Sequence, residues 1–398
     1  MSILQIWPEE PRREGGSTVI GAVVEAPGHE RKHLWYSIPE SRTTDLPGNS
    51  DPFAVATIFL MMQTGVEVRV HGKVSPSLLR NLAEYQAAWV AWMPTLRSVM
   101  IRADQEEETA PSEPREDAVL AFSGGVDSSF TAFRHARADA SRILYRPTAG
   151  VMVHGFDIPL DEPETFAAAA KRSESMMSSL GLDLIPVATN YRQLVEDWTH
   201  SFGAALASCL MLFSGRFRVG LIGQGLTYSE FCALHEGSNP LTDPMLSSDF
   251  FRIVPDGAAF DRADKIFAMR DWSECLQYLR VCWAGPQKDR NCCVCEKCIR
   301  NILTFRALGL GLPACFDRDV DRQQIKTMNP GPKVLAMIRY AELGRLAAER
   351  GADGPWVRTL EKRLGRLKRS PGPRIVRYLK HPRYYAGRAW ERLKSPGE

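Results

Sequence analysis

A glycine pair follows a short apolar run in the stretch VLAFSGGVDSSF, residues 119–130. Gly124 and Gly125 allow a tight turn and a close approach of the backbone to a ligand, because neither carries a Cβ. A helix beginning after the pair would direct its first N–H groups at the turn, which favours an anion. Asp127 adds a carboxylate that can hold Mg²⁺ or fix the loop, and the neighbouring hydroxyl donors are Ser123, Ser128 and Ser129. The stretch therefore predicts a binding loop for a chain of phosphates.

A second group of reactive side chains lies in VCWAGPQKDRNCCVCEKCIRN, residues 281–301. Three cysteines there form C-x-x-C-x-x-C and a fourth lies ten residues before them, a grouping that suits a tetrahedral zinc ion. We predict a structural zinc site, since four thiolates leave no open position for water; an iron–sulfur cluster on the same ligands is the alternative. Cys293 could replace Cys292, although the C-x-x-C spacing favours Cys292. The predicted ligands are Cys282, Cys292, Cys295 and Cys298.

The composition is that of a globular protein. The chain has 398 residues, of which 44% are hydrophobic, enough for a packed core and for about two or three domains. Its nine cysteines indicate a metal site rather than a disulfide framework, because the first residues lack the pattern of a secretion signal. The longest apolar run, residues 53–62, is too short to span a bilayer. We therefore expect a cytoplasmic protein without a transmembrane segment.

Strand and helix patterns alternate after residue 117. The apolar runs AVLAF, AGVMVHGF, LDLIPVAT and FRVGLIGQGL are predicted as strands, and the stretches between them as helices. Such alternation predicts an α/β fold with a parallel sheet and helices on both faces. Ligands of these sheets lie beyond the carboxyl ends of the strands, and the glycine pair follows the first of them. A small α+β unit rich in β-branched residues is predicted to precede this domain.

The motif SGGVDS, placed between a predicted strand and a predicted helix, resembles the pyrophosphate loop of the ATP-pyrophosphatase (PP-loop) superfamily. That superfamily includes asparagine, NAD and GMP synthetases, tRNA thiolation enzymes and 7-cyano-7-deazaguanine synthases. The stretch CWAG at residues 282–285, the C-x-x-C-x-x-C motif and Arg300 after it are similar to the last of these. The resemblance covers residues 117–312.

The resemblance implies a Rossmann-like fold of the adenine-nucleotide alpha-hydrolase type with a zinc knuckle, and ATP, Mg²⁺ and a structural Zn²⁺ as cofactors. Superfamily members cleave ATP to AMP and pyrophosphate and adenylate an oxygen of the substrate. Catalytic roles fall to Asp127 and Lys265, unless Lys265 is a solvated helix residue. His154 would border the nucleotide, unless it is a packing histidine. The implied nucleotide-binding residues are Ser123, Gly124, Gly125, Val126, Asp127, Ser128, Ser129, Val153, His154, Gly155, Gly223 and Gln224.

The segment after the fourth predicted strand departs from that family. 7-cyano-7-deazaguanine synthases have an SGYPDC-like substrate stretch there, whereas this chain has YSEFCALHEGSNPLTDPMLSSDFFRIV, residues 228–254. The substrate-side candidates are Asp243, Ser247 and Ser248, although Asp243-Pro244 is also typical of a turn or a helix start. The substrate is therefore left open between a 7-deazaguanine-type compound and another carboxylate or carbonyl compound.

These features predict an ATP-dependent ligase that adenylates a small-molecule substrate and installs nitrogen from ammonia or an amine. One alternative is a tRNA-modifying sulfurtransferase of the same superfamily, which would need a sulfur-carrying cysteine such as Cys232. The other alternative is a non-catalytic nucleotide-binding module. A homo-oligomer is also expected.

We predict four segments: a small α+β domain at residues 1–104, an acidic linker at 105–117, a PP-loop domain with the cysteine knuckle at 118–315, and a helical basic extension at 316–398. Residues 356–398 contain thirteen Lys and Arg against three Asp and Glu, although the whole chain carries only +3. This charge indicates a nucleic acid or an anionic surface as partner, or a helix packed on the acidic body of the chain. The aromatic residues of its stretch 362–394 are Tyr378, Tyr384, Tyr385 and Trp390.

Overall fold

The structure, a computed structural model, describes residues 3–108, 116–137, 145–232, 234–329, 333–352 and 354–369. Its contacts divide the chain into two compact units, Met1–Asn291 and Cys292–Glu398. These bounds differ from those of the four predicted segments, whose boundaries stay predictions. Most of the predicted acidic linker and the four aromatic residues of the stretch 362–394 lie outside the described residues.

The first unit alternates strands and helices over most of its length. Its strands are β1 Ile3–Pro8, β2 Arg12–Glu14, β3 Ser17–Glu25, β4 Lys32–Pro39, β5 Glu67–Val74, β6 Ile101–Glu106, β7 Glu116–Ala121, β8 Pro147–His154, β9 Asp183–Thr189, β10 Phe217–Gly223 and β11 Arg252–Asp256. Its helices are α1 Asp51–Thr64, α2 Pro76–Trp92, α3 Val126–Arg137, α4 Pro163–Ser179, α5 Tyr191–Leu194, α6 Trp198–Met211, α7 Tyr228–Phe231, α8 Arg262–Ala268 and α9 Ser273–Tyr278. Two 3₁₀ turns lie at Glu40–Asp45 and Asp243–Leu246.

These strands form one sheet in the order β11-β10-β7-β8-β9-β4-β3-β1-β5-β6, with β2 paired to β3. Pairing is parallel from β11 to β9 and again from β1 through β5 to β6. It is antiparallel from β9 through β4 and β3 to β1. The protein is therefore an α/β protein with a large, mostly parallel sheet, and the strands of its first hundred residues belong to that sheet.

The five parallel strands from β11 to β9 reverse their order next to β7, at a point that we call the crevice. The chain runs from β7 outward through β8 to β9, and then returns to the other side of β7 for β10 and β11. In open α/β sheets, ligands bind where the strand order reverses in this way, outside the carboxyl ends of the strands. This point lies between the ends of β7 and β10. The glycine pair after β7 and Gln224 after β10 both lie there.

Asn190, the residue that follows β9, connects the parallel strands with the antiparallel part of the sheet. Its side chain accepts a hydrogen bond from Trp35 N (2.9 Å) and donates one to His33 O (2.7 Å). The buried hydroxyls of Tyr36 and Ser208 are 2.9 Å apart and connect β4 with α6. These side-chain bonds supplement a short β4–β9 ladder of two residue pairs.

The second unit is helical over its described residues. Its helices are α10 Glu296–Ala307, α11 Arg322–Thr327, α12 Lys333–Glu349 and α13 Pro355–Arg369. Asp321 caps α11 through a hydrogen bond from Gln324 N (2.7 Å). The guanidinium group of Arg363, from α13, donates to the carbonyls of Lys326 and Met328 at the end of α11. The described part of the predicted basic extension is thus folded into this unit.

Candidate functional site

The glycine loop closes on itself between β7 and α3. Gly124 has a φ of +72°, a conformation that favours glycine. The Ser128 hydroxyl donates to Gly125 O (3.2 Å) and accepts from Ser123 N (3.2 Å). The first helical bond runs from Ser129 N to Gly125 O (2.9 Å), so the earlier N–H groups of α3 have no partner within the helix. The loop therefore presents a helix N-terminus as predicted, although the Ser129 side chain itself is fully buried.

Two basic side chains of α8 converge on the carboxylate of Asp127. Lys265 Nζ lies 2.9 Å from Oδ1, and an Arg262 guanidinium nitrogen lies 3.1 Å from Oδ2. Lys265 is only 2% exposed, and its ammonium group also donates to the backbone carbonyl of Gln224. The structure thus brings the two predicted catalytic residues into contact, and Lys265 is not a solvated helix residue.

A third basic residue, Arg280, holds the backbone of the loop. Its backbone N–H donates to Gly124 O (2.8 Å), and its guanidinium group donates to Ser123 O (3.1 Å). Arg280 is buried, and it pairs with Asp157 at 3.5 Å, in the segment after β8. Sequence reasoning missed this residue, since an arginine two positions before Cys282 matches no motif.

The end of β10 contacts the loop through its backbone. A Cβ on Gly223 would lie 2.7 Å from the carbonyl oxygen of Asp127, so only glycine fits this approach. The side chain of Gln224 turns away from the loop and is 1% exposed. Its Nε2 donates to Asp243 Oδ2 (2.9 Å) and to Ser238 Oγ (3.0 Å). Gln224 therefore faces the loop only with its carbonyl, which accepts from Lys265.

The three candidates at the end of β8 have structural contacts. The His154 ring stacks on Phe166 with 4.5 Å between centroids, and its Nε2 is 2.7 Å from Pro159 O. Burial lowers the pKa of His154. Gly155 has a φ of +101°, and a Cβ there would lie 2.0 Å from Thr189 O. Val153 is half-buried within the strand. The stacking on Phe166 and the contact with Pro159 agree with the interpretation of His154 as a packing residue.

The substrate-side candidates are buried too. Asp243 is 0% exposed, and burial raises the pKa of its carboxyl to about 7. Ser247 Oγ accepts from Ile253 N (2.9 Å), and Ser248 Oγ accepts from Phe251 N (3.2 Å). The two serines therefore stabilise the turn before β11. Asp243 contacts the side chain of Gln224, on the side away from the loop.

The four predicted cysteine ligands lie together. The sulfur atoms of Cys282, Cys292, Cys295 and Cys298 are all within 4.8 Å of one another. Cys295 N donates to Cys292 Sγ at 3.4 Å, the backbone-to-sulfur turn expected of C-x-x-C. Cys293, a buried residue with a φ of +61°, does not belong to this group. The group could hold a metal ion such as zinc.

Comparisons of the chain with protein-family models, with curated proteins and with solved structures found no match. The class of protein is therefore defined by fold and site, as an α/β protein with a large, mostly parallel sheet and a four-cysteine group. Among the described residues, no helix is long and apolar enough to cross a membrane.

Proposed function

We propose that the chain is an ATP-dependent adenylating ligase, similar to 7-cyano-7-deazaguanine synthases, that splits ATP into AMP and pyrophosphate. One observation carries the proposal: three basic side chains converge on a glycine loop at a helix N-terminus, in the crevice between β7 and β10. They are Arg262, Lys265 and Arg280.

The charges around the loop favour a polyphosphate. The N-terminus of α3 contributes N–H donors and partial positive charge. The three basic side chains outnumber the two carboxylates that they contact, Asp127 and Asp157. Because Lys265 is nearly inaccessible to water, its charge would act on a bound phosphate with little screening.

Mg²⁺ fits this site as an ion that arrives with the nucleotide. It usually keeps several water ligands and is held by one or two carboxylates together with substrate phosphates. Asp127 offers one such carboxylate at the loop, and its oxygens already face Arg262 and Lys265. When bound, Mg²⁺ supplies further neutralisation of phosphate charge, and Asp127 keeps the two basic side chains in place.

In the proposed reaction, an oxygen of the substrate attacks the α-phosphorus of ATP while the bond from that phosphorus to the bridging oxygen breaks. Pyrophosphate leaves with the electron pair, and the three basic side chains stabilise its charge. The nitrogen nucleophile then attacks the adenylated carbon, AMP leaves with the electrons of the C–O bond, and the nitrogen loses a proton. The protein contributes chiefly by positioning and by charge neutralisation.

We assign a structural Zn²⁺ to the cysteine group. Tetrahedral Zn–S bonds of about 2.3 Å separate the sulfur atoms by about 3.8 Å, and the sulfur atoms of Cys292 and Cys298 are 3.8 Å apart. An iron–sulfur cluster spreads its ligands around several metal atoms, so the compact grouping favours a single ion. Four thiolates leave it no open position for water.

The test measures AMP and pyrophosphate from Mg²⁺-ATP, ammonium and 7-carboxy-7-deazaguanine or other carboxylates, with mass spectrometry of the product. Gly223→Ala is the loop variant, because its Cβ would displace the backbone of Asp127. Gly344→Ala is the matched control, since a Cβ there meets nothing within 4 Å. We expect equal amounts of AMP and pyrophosphate, with turnover lost in Gly223→Ala alone. Release of ADP, or no effect of Gly223→Ala on turnover, would contradict the proposal.

A further inference from the structure

A group of buried polar side chains lies beside Asp243, below the end of β10. The carboxylate of Asp243 accepts hydrogen bonds from Ser238 Oγ (2.6 Å), Asn239 N (3.0 Å) and Gln224 Nε2 (2.9 Å). A carboxylate has about four acceptor sites, so it can accept a further bond. The reaction described above does not use this group.

The amide of Gln224 is oriented by its neighbours. Besides Asp243, its Nε2 faces the carbonyl of Ile222 at 3.3 Å and Ser238 Oγ at 3.0 Å. Three acceptors on one side fix which amide atom is nitrogen and which is oxygen. Oε1 is therefore directed elsewhere, and it is buried without a hydrogen-bond partner among the described residues. Burying such an oxygen is unfavourable unless a ligand or a water molecule donates to it.

Two hydroxyl groups near Asp243 are also buried without a hydrogen-bond partner among the described residues. Thr242, the preceding residue, is 0% exposed, and within the described parts of the chain its hydroxyl has no hydrogen-bond partner. Tyr85 of α2 is also fully buried, and burial, with a smaller contribution from the nearby Asp243 carboxylate, raises the pKa of its hydroxyl. The indole N–H of Trp89 lies near this hydroxyl but outside hydrogen-bond geometry.

The group thus presents acceptors: one amide oxygen, one carboxylate and two hydroxyl oxygens. A small cation that donates hydrogen bonds in several directions suits buried acceptors gathered around one carboxylate, and it balances the charge of Asp243. We propose that Gln224, Thr242, Tyr85 and Asp243 form a binding site for an ammonium ion. Its use as the nitrogen source rests on the proposed ligase function, whereas the binding itself does not.

Gln224 connects this site with the phosphate-binding loop. Its backbone carbonyl accepts from Lys265, which is paired with Asp127, while its side chain contacts Asp243. An ammonium ion at Oε1 is therefore held by the same residue whose carbonyl orients the lysine at the loop. Gln224 therefore belongs to both sites, with its side chain at the proposed ammonium ion and its backbone carbonyl at the loop.

Thallium(I), a cation close to ammonium in size and charge, is the crystallographic probe. Crystals of the full chain are soaked in thallium(I) acetate without ATP, and the anomalous signal is measured around Gln224 Oε1. We expect one peak there, displaced by ammonium acetate and lost or weakened in Thr242→Val, which keeps the shape of the side chain. Density for water without an anomalous signal would overturn the proposal, since the group would then hold water only.

A solution measurement separates this inference from the proposed function. Thermal unfolding is followed in ammonium chloride against sodium chloride at equal ionic strength. Loss of one hydrogen bond to a charged group weakens binding by about tenfold to a hundredfold, so Thr242→Val should need that much more ammonium for the same stabilisation. Thr327→Val, at an exposed threonine, is the control and should respond as the wild type does.

The outcomes are distinguishable. Selective stabilisation by ammonium, without AMP and pyrophosphate release from any of the carboxylates assayed, would count against the ligase and leave the binding site. If amidation occurs while ammonium gives no stabilisation, and if its half-saturating concentration is the same in Thr242→Val, the ligase stands and the binding site is wrong.

Discussion

The ammonium group of Lys265 lies 2.9 Å from the carboxylate of Asp127 and also donates to the carbonyl of Gln224. Lys265 comes from α8 and Asp127 from the first turn of α3, 138 positions apart in the chain. One buried lysine thereby joins the loop after β7 to the end of β10, the two sides of the crevice.

This pair has a consequence for stability. Asp127→Asn leaves the buried Lys265 charge without its carboxylate and should lower the free energy of unfolding by about 3 kcal/mol. Lys265→Met removes the buried lysine charge itself. The double variant Asp127→Asn/Lys265→Met should therefore recover most of the lost free energy of unfolding. Urea unfolding of the two single variants and the double variant measures the coupling. Strictly additive effects would mean that the pair does not interact. Glu349→Gln, in an exposed ion pair with Arg345, is the control and should cost less than about 1 kcal/mol.

The cysteine group predicts a dependence of folding on metal. Cys298→Ser removes one of four ligands and should lower both the zinc content per chain and the melting temperature, because metal-binding energy is folding energy. Elemental analysis and thermal unfolding measure the two effects. Cys293→Ser changes a neighbouring cysteine outside the group and should keep its zinc. Iron with inorganic sulfide in the wild type, or loss of zinc in Cys293→Ser, would contradict a zinc site on these four residues.

The parallel half of the fold was predictable because its signals are local. The four apolar runs after residue 117 correspond to β7, β8, β9 and β10. β11 was missed, since its sequence RIVPD has only five residues and its apolar run before the proline is only Ile253 and Val254. The pairing of β4 with β9 was not predictable from periodicity, because it depends on contacts such as that of Asn190 with His33 and Trp35.

The same distinction holds in the site. The glycine loop and the cysteine group are contiguous motifs, so residue types and spacing were sufficient to find them. Arg280 contacts Ser123 across 157 positions, and no nearby residue marks it as special. His154 was chosen for its place at a strand end, but its direction depends on Phe166 and Pro159, whose positions only the folded chain defines.

Burial of Asp243 predicts a pH dependence of stability. Its pKa is raised from 3.8 to about 7, so between about pH 4 and pH 7 the folded state keeps a proton that the unfolded state releases. The contribution of Asp243 to the free energy of unfolding therefore falls as the pH rises through this range. Asp243→Asn should remove this contribution. The contribution of Asp51, whose pKa is raised to about 6, remains, as do contributions of opposite sign from carboxyls with a lowered pKa such as Asp256.

Urea unfolding at several pH values between about 4 and 7 measures these slopes. Asp271→Asn, at a carboxylate whose side chain is 81% exposed, should retain the wild-type slope. Equal slopes in Asp243→Asn and the wild type would show that Asp243 has an ordinary pKa. The Asn variant should also be less stable than the wild type at neutral pH, because its amide nitrogen cannot accept the bonds that Asp243 receives.

Cys232 distinguishes the ligase from a sulfurtransferase. It is exposed at the end of α7, and its thiol contacts Tyr228 O at 3.4 Å. A ligase does not need this thiol, so Cys232→Ser should change AMP and pyrophosphate release with ammonium by less than about twofold, as expected for a surface substitution. A sulfurtransferase would instead load sulfur on Cys232 and transfer it to tRNA. Mass spectrometry of tRNA incubated with protein, ATP and a sulfur donor detects that transfer. Thiolated tRNA made by the wild type, and lost in a Cys232→Ser variant with an unchanged melting temperature, would replace the ligase with the sulfurtransferase.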